Sequence, residues 1–317
     1  MIRKTAYIFT FALISFIYSN SFSQSNTVYN FLKLDVSARA SALAGSFTAV
    51  ENDVNAIYYN PASLTTFTRA QGSVGFYKYL LDINSGNIAF TSKYKDIGYI
   101  GIGLRYVNYG SFDKYDINSV NQGTFGGSDL ALTLGYANNL NSKLSYGASL
   151  KLIYSSYDVY HSAGVAVDLG ALYKMPEQMM SIGVSLLNAG VQITSYQDLK
   201  EKLPLDLRIG ATKKVENSPL TVFLGFNRLT EDQDKFFNRF KNITAGVEFD
   251  VADGINLRVG YDNRLRQDLK TGSTSGLAGF SAGFGVLVKD KYQIDYAFNS
   301  LGKIGSTHRI NVGMPIN

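Results

Sequence analysis

Few residues of this sequence have the chemistry that catalysis needs, and their spacing does not assemble a reaction centre. The chain has 317 residues, no cysteine and two histidines, His161 and His308. No nucleophile motif surrounds either histidine, and no carboxylate is obviously placed to orient its ring. Two histidines on separate segments also make a poor zinc site. We therefore expect a protein that is not an enzyme, with no catalytic residue, no metal and no cofactor.

One stretch has closely spaced oxygen ligands of the kind that bind calcium. Its members are Asp113, Asp116, Asn118 and Asn121. Their spacing departs from the EF-hand pattern, and the stretch lacks that motif's terminal glutamate. Solvated loop polarity is the better interpretation.

The first residues are typical of an export signal. Arg3 and Lys4 form a basic n-region, an apolar run covers Ala6–Tyr18, and Ser21-Phe22-Ser23 supplies the small residues that signal peptidase requires. The apolar run is too short to span a bilayer as a helix, which takes about 20 residues. We predict a signal peptide over residues 1–23 and an exported protein. The formal net charge of +5 becomes +3 without Arg3 and Lys4 (5 − 2 = 3), which argues against a nucleic-acid partner.

From residue 70 to residue 317, apolar side chains recur at every second position. The clearest case is Ile182, Val184 and Leu186, which alternate with serine and glycine. About fourteen such segments follow one another, and many are longer than the five or six residues usual in soluble strands. Transmembrane strands need about 9–11 residues. The pattern predicts strands with one apolar face.

The connections between these segments alternate in length. Short turns near 95–96, 139–142, 175–178, 215–218, 251–254 and 289–291 alternate with longer polar stretches at 109–126, 155–161, 189–202, 229–240, 262–276 and 299–305. Short periplasmic turns and long outer loops are typical of an up-and-down membrane barrel. An even strand number also predicts both termini on the periplasmic side.

The polar face of the segments contains glycines and ionisable groups of both signs. The ionisable residues are Arg105, Lys151, Asp168, Asp206, Arg208, Glu248, Arg258, Asp295 and Arg309. The same alternation would fit a soluble β-sandwich or propeller, whose polar faces meet water. Strand length, loop alternation and tyrosines near strand ends favour an all-β, transmembrane antiparallel β-barrel of about 14 strands in the outer membrane, in contact with its lipid.

Residues 24–69 lack the alternation and are predicted to form a short helical plug inside the barrel. Small side chains favour a helix within Phe31–Leu43, with Asp35 or Ser37 as its N-cap. A plug motif follows at Asn60, Pro61 and Ala62, where proline restricts Asn60 to an extended conformation. On a later outer loop, Phe236, Phe237 and Phe240 either form a partner-docking surface or fold back into the barrel mouth.

Two stretches resemble a known family. The run Phe31–Gly45, followed by Ala56–Leu64, is similar to the start of mature PorV/PorQ family proteins. Those proteins are outer-membrane components of the type IX secretion system, with a fold similar to that of the FadL fatty-acid transporters. Residues 109–113, 266–270 and 276–280 look more like the PorQ branch.

The resemblance implies a secretion-system barrel that anchors or shuttles secreted cargo at the cell surface. Its implied partners are other secretion-system proteins, namely a PorZ-like surface partner and the attachment complex. The alternative is a FadL-like outer-membrane channel for uptake of hydrophobic small molecules, which needs an apolar path past the plug.

Overall fold

The computed structural model describes residues 27–197, 199–231, 236–270 and 276–316, and forms one closed barrel of 14 antiparallel strands. Each strand pairs with its neighbours in the chain, and β1 closes the barrel against β14. The strands are β1 Gln71–Lys78, β2 Asn84–Tyr94, β3 Gly98–Tyr115, β4 Asn121–Asn139, β5 Leu144–Tyr157, β6 Tyr160–Met175, β7 Met180–Thr194, β8 Asp206–Lys214, β9 Leu220–Phe226, β10 Ile243–Ala252, β11 Ile255–Asp262, β12 Phe280–Val288, β13 Tyr292–Ser300 and β14 Ser306–Pro315. The predicted fold class is confirmed.

Side chains alternate between the outer surface of the barrel and its lumen. On β7, Ile182 and Val184 are exposed on the outside, whereas Ser181 and Ser185 are buried inside. All nine ionisable residues predicted for the polar face are at most 7% exposed. The prediction that they enclose the interior is therefore confirmed, and the apolar residues form the lipid-facing surface.

The barrel wall is much taller on one side than on the other. Strands β3 and β4 have 18 and 19 residues, whereas β9 and β11 have seven and eight. The loop predicted for residues 109–126 is wrong, because β3 and β4 continue as a paired hairpin that turns at residues 116–120. The loop predicted for residues 155–161 is likewise reduced to a turn at 158–159. The loop predicted for residues 189–202 begins later, because β7 extends to Thr194. Backbone ladders continue through these polar residues because ladder hydrogen bonds do not depend on side-chain polarity.

Residues 27–70, here called the luminal segment, precede the first strand and carry short helices. These are α1 Ala38–Ala42 and the 3-10 helices Asn30–Lys33, Val54–Tyr58 and Pro61–Thr66. Ser37 is the N-cap of α1, because its side chain accepts a hydrogen bond from the Ala40 amide. The helix is shorter than the range predicted for it. Leu34 and Val36 instead use their backbone groups to bond Arg105 and Tyr59.

The luminal segment runs through the barrel from its outer mouth to its short-turn end. Thr27 forms a bridge to Lys202 of the β7–β8 connection, and the Tyr29 hydroxyl lies 2.6 Å from Ser162 Oγ at the outer end of β6. At the other end, Ala70 accepts a hydrogen bond from Ile316. β1 therefore begins and β14 ends on the predicted periplasmic side. Thr27, however, lies at the outer end of the barrel. Val28 and Phe31 hold it there by packing with Leu203 in an apolar cluster at the mouth.

Further short helices lie in the connections between strands. They are α2 Asn263–Asp268 and the 3-10 helices Pro176–Gln178, Phe236–Lys241 and Gly302–Ile304. Over the described part of the chain, no helix has both the length and the apolar character needed to cross a membrane. The signal peptide predicted for residues 1–23 lies outside the described residues.

Candidate functional site

The luminal segment is tied to the wall by a buried charge network centred on Arg39. Its guanidinium donates to both carboxylate oxygens of Glu248, at 2.8 and 2.9 Å, and lies 3.5 Å from Asp53. Glu248 also pairs with Arg258, which pairs in turn with Asp295. Burial opposes the charged form of Arg39, but the Glu248 carboxylate more than compensates and the pKa of Arg39 is raised. The network links the segment to β10, β11 and β13.

The motif Asn60, Pro61 and Ala62 fixes the segment against the opposite wall. The Asn60 side-chain nitrogen Nδ2 donates to the carbonyls of Thr48 (2.8 Å) and Ala171 (3.0 Å). Its side-chain oxygen accepts from the Ala62 amide and caps the helix that Pro61 begins. Asn60 has the extended conformation that proline was predicted to impose (φ −158°, ψ 105°). This motif therefore positions the segment and presents no exposed group for chemistry.

Two wall glycines make room for this motif. A Cβ on Gly147 of β5 would lie 2.5 Å from the Pro61 carbonyl carbon, and one on Gly170 of β6 would overlap the Asn60 side chain. Glycine is required at both positions because the segment touches the wall there, through its backbone at Gly147 and through the Asn60 and Pro61 side chains at Gly170.

A small cavity of about 20 Å³, room for one or two water molecules, lies between residues 32–36 and the wall formed by β3, β4, β5 and β8. Its lining combines apolar side chains with three cations and two tyrosines: Leu32, Leu34, Val36, Tyr58, Tyr59, Arg105, Ala131, Thr133, Lys151 and Arg208. Burial raises the pKa of Tyr58, so its hydroxyl remains a donor, and it bonds the carbonyls of Ile88 and Leu104. The cavity therefore offers both apolar surface and positive charge.

Arg105 differs from the other two cations of this cavity in its partners. Lys151 pairs with Asp168 at 2.9 Å, and Arg208 pairs with Asp206 at 2.6 Å. Arg105 is 4% exposed and donates to the Leu34 carbonyl at 3.0 Å. Within the described ranges it forms no ion pair, and its Nε has no hydrogen-bond partner. A buried cation in this state favours an anionic group beside it.

A second cavity, of about 40 Å³, lies on the other side of residues 32–36. It is lined by Lys33 and Asp35 of the luminal segment and by polar groups near the outer ends of β8 to β11, including Arg228 and Arg264. Successive side chains of residues 32–36 thus face different cavities: Leu32, Leu34 and Val36 face one, and Lys33 and Asp35 face the other. This stretch therefore separates two cavities at the mouth, and only the first of them has apolar side chains of the stretch in its lining.

A cluster of hydroxyl groups around a buried carboxylate holds the mouth together. The Asp129 carboxylate accepts hydrogen bonds from Tyr109 at 2.6 Å, from Tyr157 at 3.3 Å and from Ser155. Tyr196 of the β7–β8 connection extends the cluster by donating to Ser155. Sequence analysis missed it, because its members are distant in sequence and only the barrel register brings them together.

The predicted docking residues Phe236, Phe237 and Phe240 lie in one short 3-10 helix, where Phe237 and Phe240 have different surroundings. Phe237 is 80% exposed, whereas Phe240 packs against the ring of Phe226 at 5.8 Å between centroids. On β9, residues two apart face the same side of the wall, so Phe226 faces outward like the lipid-facing Leu224. Phe240 contacts Phe226 and therefore packs on the outside of the barrel. Phe236 begins the short 3-10 helix that carries the other two residues.

The histidines do not form a reaction centre with each other. The ring of His161 lies 3.0 Å from the Tyr154 hydroxyl, and the ring of His308 lies 2.7 Å from the Tyr296 hydroxyl. Both are exposed, on different sides of the barrel. In the described ranges, no group of three histidine or carboxylate side chains is placed to hold a metal ion.

This chain is similar to known proteins in structure and not detectably in sequence. No family model matches it, and no curated protein matches it in sequence. The Pseudomonas putida toluene transporter TodX superposes with a TM-score of 0.59 and 14% identity, over 88% of this chain and 97% of TodX. The Ralstonia pickettii toluene transporter TbuX gives 0.59 and 13%, over 89% and 98%.

A FadL homologue from Pseudomonas aeruginosa superposes with a TM-score of 0.55 and 11% identity, over 89% of this chain and 98% of the homologue. Identities this low establish the fold and leave the substrate open. The chain has the FadL-like fold of outer-membrane β-barrels.

Proposed function

We propose that the protein is an outer-membrane channel for small hydrophobic molecules, including molecules that carry one acidic group. The observation that carries this proposal is the cavity beneath residues 32–36, where apolar side chains lie beside Arg105, a buried cation that forms no ion pair within the described ranges and contacts the Phe31 ring. This cavity now has room only for water, so residues 32–36 must move for a ligand to enter. A carboxylate bound at Arg105 would form a charge-assisted hydrogen bond, while Leu32, Leu34 and Ala131 would contact the apolar part. TodX and TbuX, which share the fold, are described as toluene transporters.

Uptake of radiolabelled toluene and benzoate by Gram-negative cells that carry the protein tests this proposal. Ala131→Phe fills the cavity and should reduce the uptake of both probes to the level of cells without the protein. Leu134→Phe, on the lipid-facing side of the same strand, is the matched control and should leave uptake unchanged. Arg105→Gln should reduce benzoate uptake by about tenfold or more, since hydrogen bonds to charged groups contribute about 1.5–3 kcal/mol, and should affect toluene less. Uptake that Ala131→Phe leaves unaltered would refute the channel.

The second candidate is a secretion-system barrel similar to the PorV/PorQ family. It is supported by apolar side chains at the tips of the tall wall, where Ile117 is 99% exposed and Val159 is 70% exposed. Its proposed partners are a PorZ-like surface protein and the attachment complex, with outer-membrane lipid around the barrel and no nucleic acid. Purification from native membranes in mild detergent tests it, and recovery of the barrel alone would count against it. In both candidates we propose that the protein is not an enzyme.

A further inference from the structure

The outer end of β7 has a partner strand on one side only. β7 pairs with β6 along its length, up to Thr194, whereas its pairing with β8 stops at Leu187 opposite Asp206. Residues 189–194, here called the outer edge of β7, therefore extend past the start of β8. Within the described ranges, no backbone hydrogen bond joins this edge to a residue on the side away from β6.

The described residues of the β7–β8 connection turn inward at this point and give the edge no backbone partner. Pro204, which has no N–H to donate, accepts a hydrogen bond from the Asn188 side chain through its carbonyl. Leu203 is buried with the luminal segment, and Lys202 pairs with Thr27. The Glu201 amide bonds the side chain of Gln192 and not the backbone of β7.

The outer edge lies beyond the lipid band. β7 has 15 residues, and a tilted strand needs about 10 of them to cross the hydrocarbon region, so about five project outside. The other end of β7 follows a short turn, which places the projecting residues at the outer surface. Val191 and Ile193 are nevertheless 63% and 54% exposed, and lipid does not account for apolar side chains at this height.

We propose that the outer edge of β7 binds an extended segment of a second polypeptide at the cell surface, as an added antiparallel strand. Unpaired backbone groups of an edge strand are a template for strand addition, which supplies affinity through main-chain hydrogen bonds. Val191 and Ile193 select a segment with apolar side chains on the facing positions. A second copy of this chain does not fit, because copies in one membrane share their orientation and their β7 strands cannot run antiparallel.

Hydrogen exchange on the full protein in phosphatidylcholine nanodiscs tests the proposal, with a synthetic octapeptide of alternating valine and threonine between terminal lysines as the probe. Without peptide, the edge amides at residues 189–194 should exchange as fast as amides in exposed turns. At ten times its dissociation constant, the peptide should slow their exchange by about tenfold. A peptide N-methylated at alternate residues keeps the side chains but loses donors, and should give no protection.

The location of binding is tested by one variant and its control. Val191→Lys places a charge on the edge, where lysine opposes strand addition, and should abolish the protection. Val159→Lys changes an equally exposed valine on the neighbouring β5–β6 turn and should leave the protection intact.

Four results would overturn the proposal. The first is no protection at peptide concentrations up to about 1 mM, and the second is equal protection by the N-methylated peptide. The third is an edge that is already protected without peptide, which would mean that lipid or the chain itself covers it. The fourth is protection that rises with protein concentration alone, which would indicate a second copy.

Discussion

Replacing Arg39 with methionine should loosen the luminal segment while leaving the barrel folded. The Arg39 guanidinium bonds both oxygens of Glu248 and lies near Asp53. Breaking a buried ion pair by removing one partner costs about 3–5 kcal/mol. Arg39 is 20% exposed and Glu248 keeps its pair with Arg258, so we expect the lower end, about 3 kcal/mol.

Hydrogen exchange of the α1 amides measures this change. A cost of about 3 kcal/mol corresponds to exchange about 100-fold faster if α1 opens locally, with no change in the strands. Lys33→Met is the control, because Lys33 pairs with Glu231 at the partly exposed mouth, where such a pair contributes about 1 kcal/mol or less. Equal exchange in the two variants would refute the argument that the Arg39 network holds the segment. Faster exchange in all strands would mean that the network stabilises the whole barrel.

Three further changes test the contacts described above. Gly170→Ala should displace the Asn60 motif because the new Cβ overlaps its side chain, and thermal unfolding should show a lower midpoint, whereas an unchanged midpoint would contradict the close contact. Asn60→Ala should lower the stability of the luminal segment by about 2–3 kcal/mol, because the buried Thr48 carbonyl loses its donor. Hydrogen exchange should then be faster for the segment's amides than for the wall amides, which serve as the reference. Leu134→Lys on the lipid face should destabilise the barrel by about 2–4 kcal/mol in urea titrations in lipid, whereas Leu134→Phe should not.

The sequence predicts the barrel well because its signal is local. Alternation along each strand follows from the two faces of the wall, so the buried positions of Asp206 and Arg208 follow from the position of Leu205 and Leu207 in the pattern. The N-cap Ser37 is equally local, since its partner is three residues away. Such features need no knowledge of the rest of the chain.

The candidate site is predicted less well because its contacts join distant residues. Nothing in the sequence near Arg105 indicates that Leu34 is its partner or that its Nε lacks one. The sequence predicts a loop over residues 109–126 because the side chains there are polar and lack the apolar alternation of a strand, although the backbone forms a paired ladder. The position of Thr27 depends on Lys202, far along the chain.

The contacts of α1 with the closing strand reinforce the seam of the barrel. The Ala38 amide donates to the Asn311 side chain, and Arg309 donates to Ser41 Oγ, both across the lumen to β14. Helix α1, which precedes every strand in the chain, thus forms part of the surface against which the final strand packs. The seam between β1 and β14 is therefore held by side chains that reach the luminal segment as well as by the ladder between the two strands.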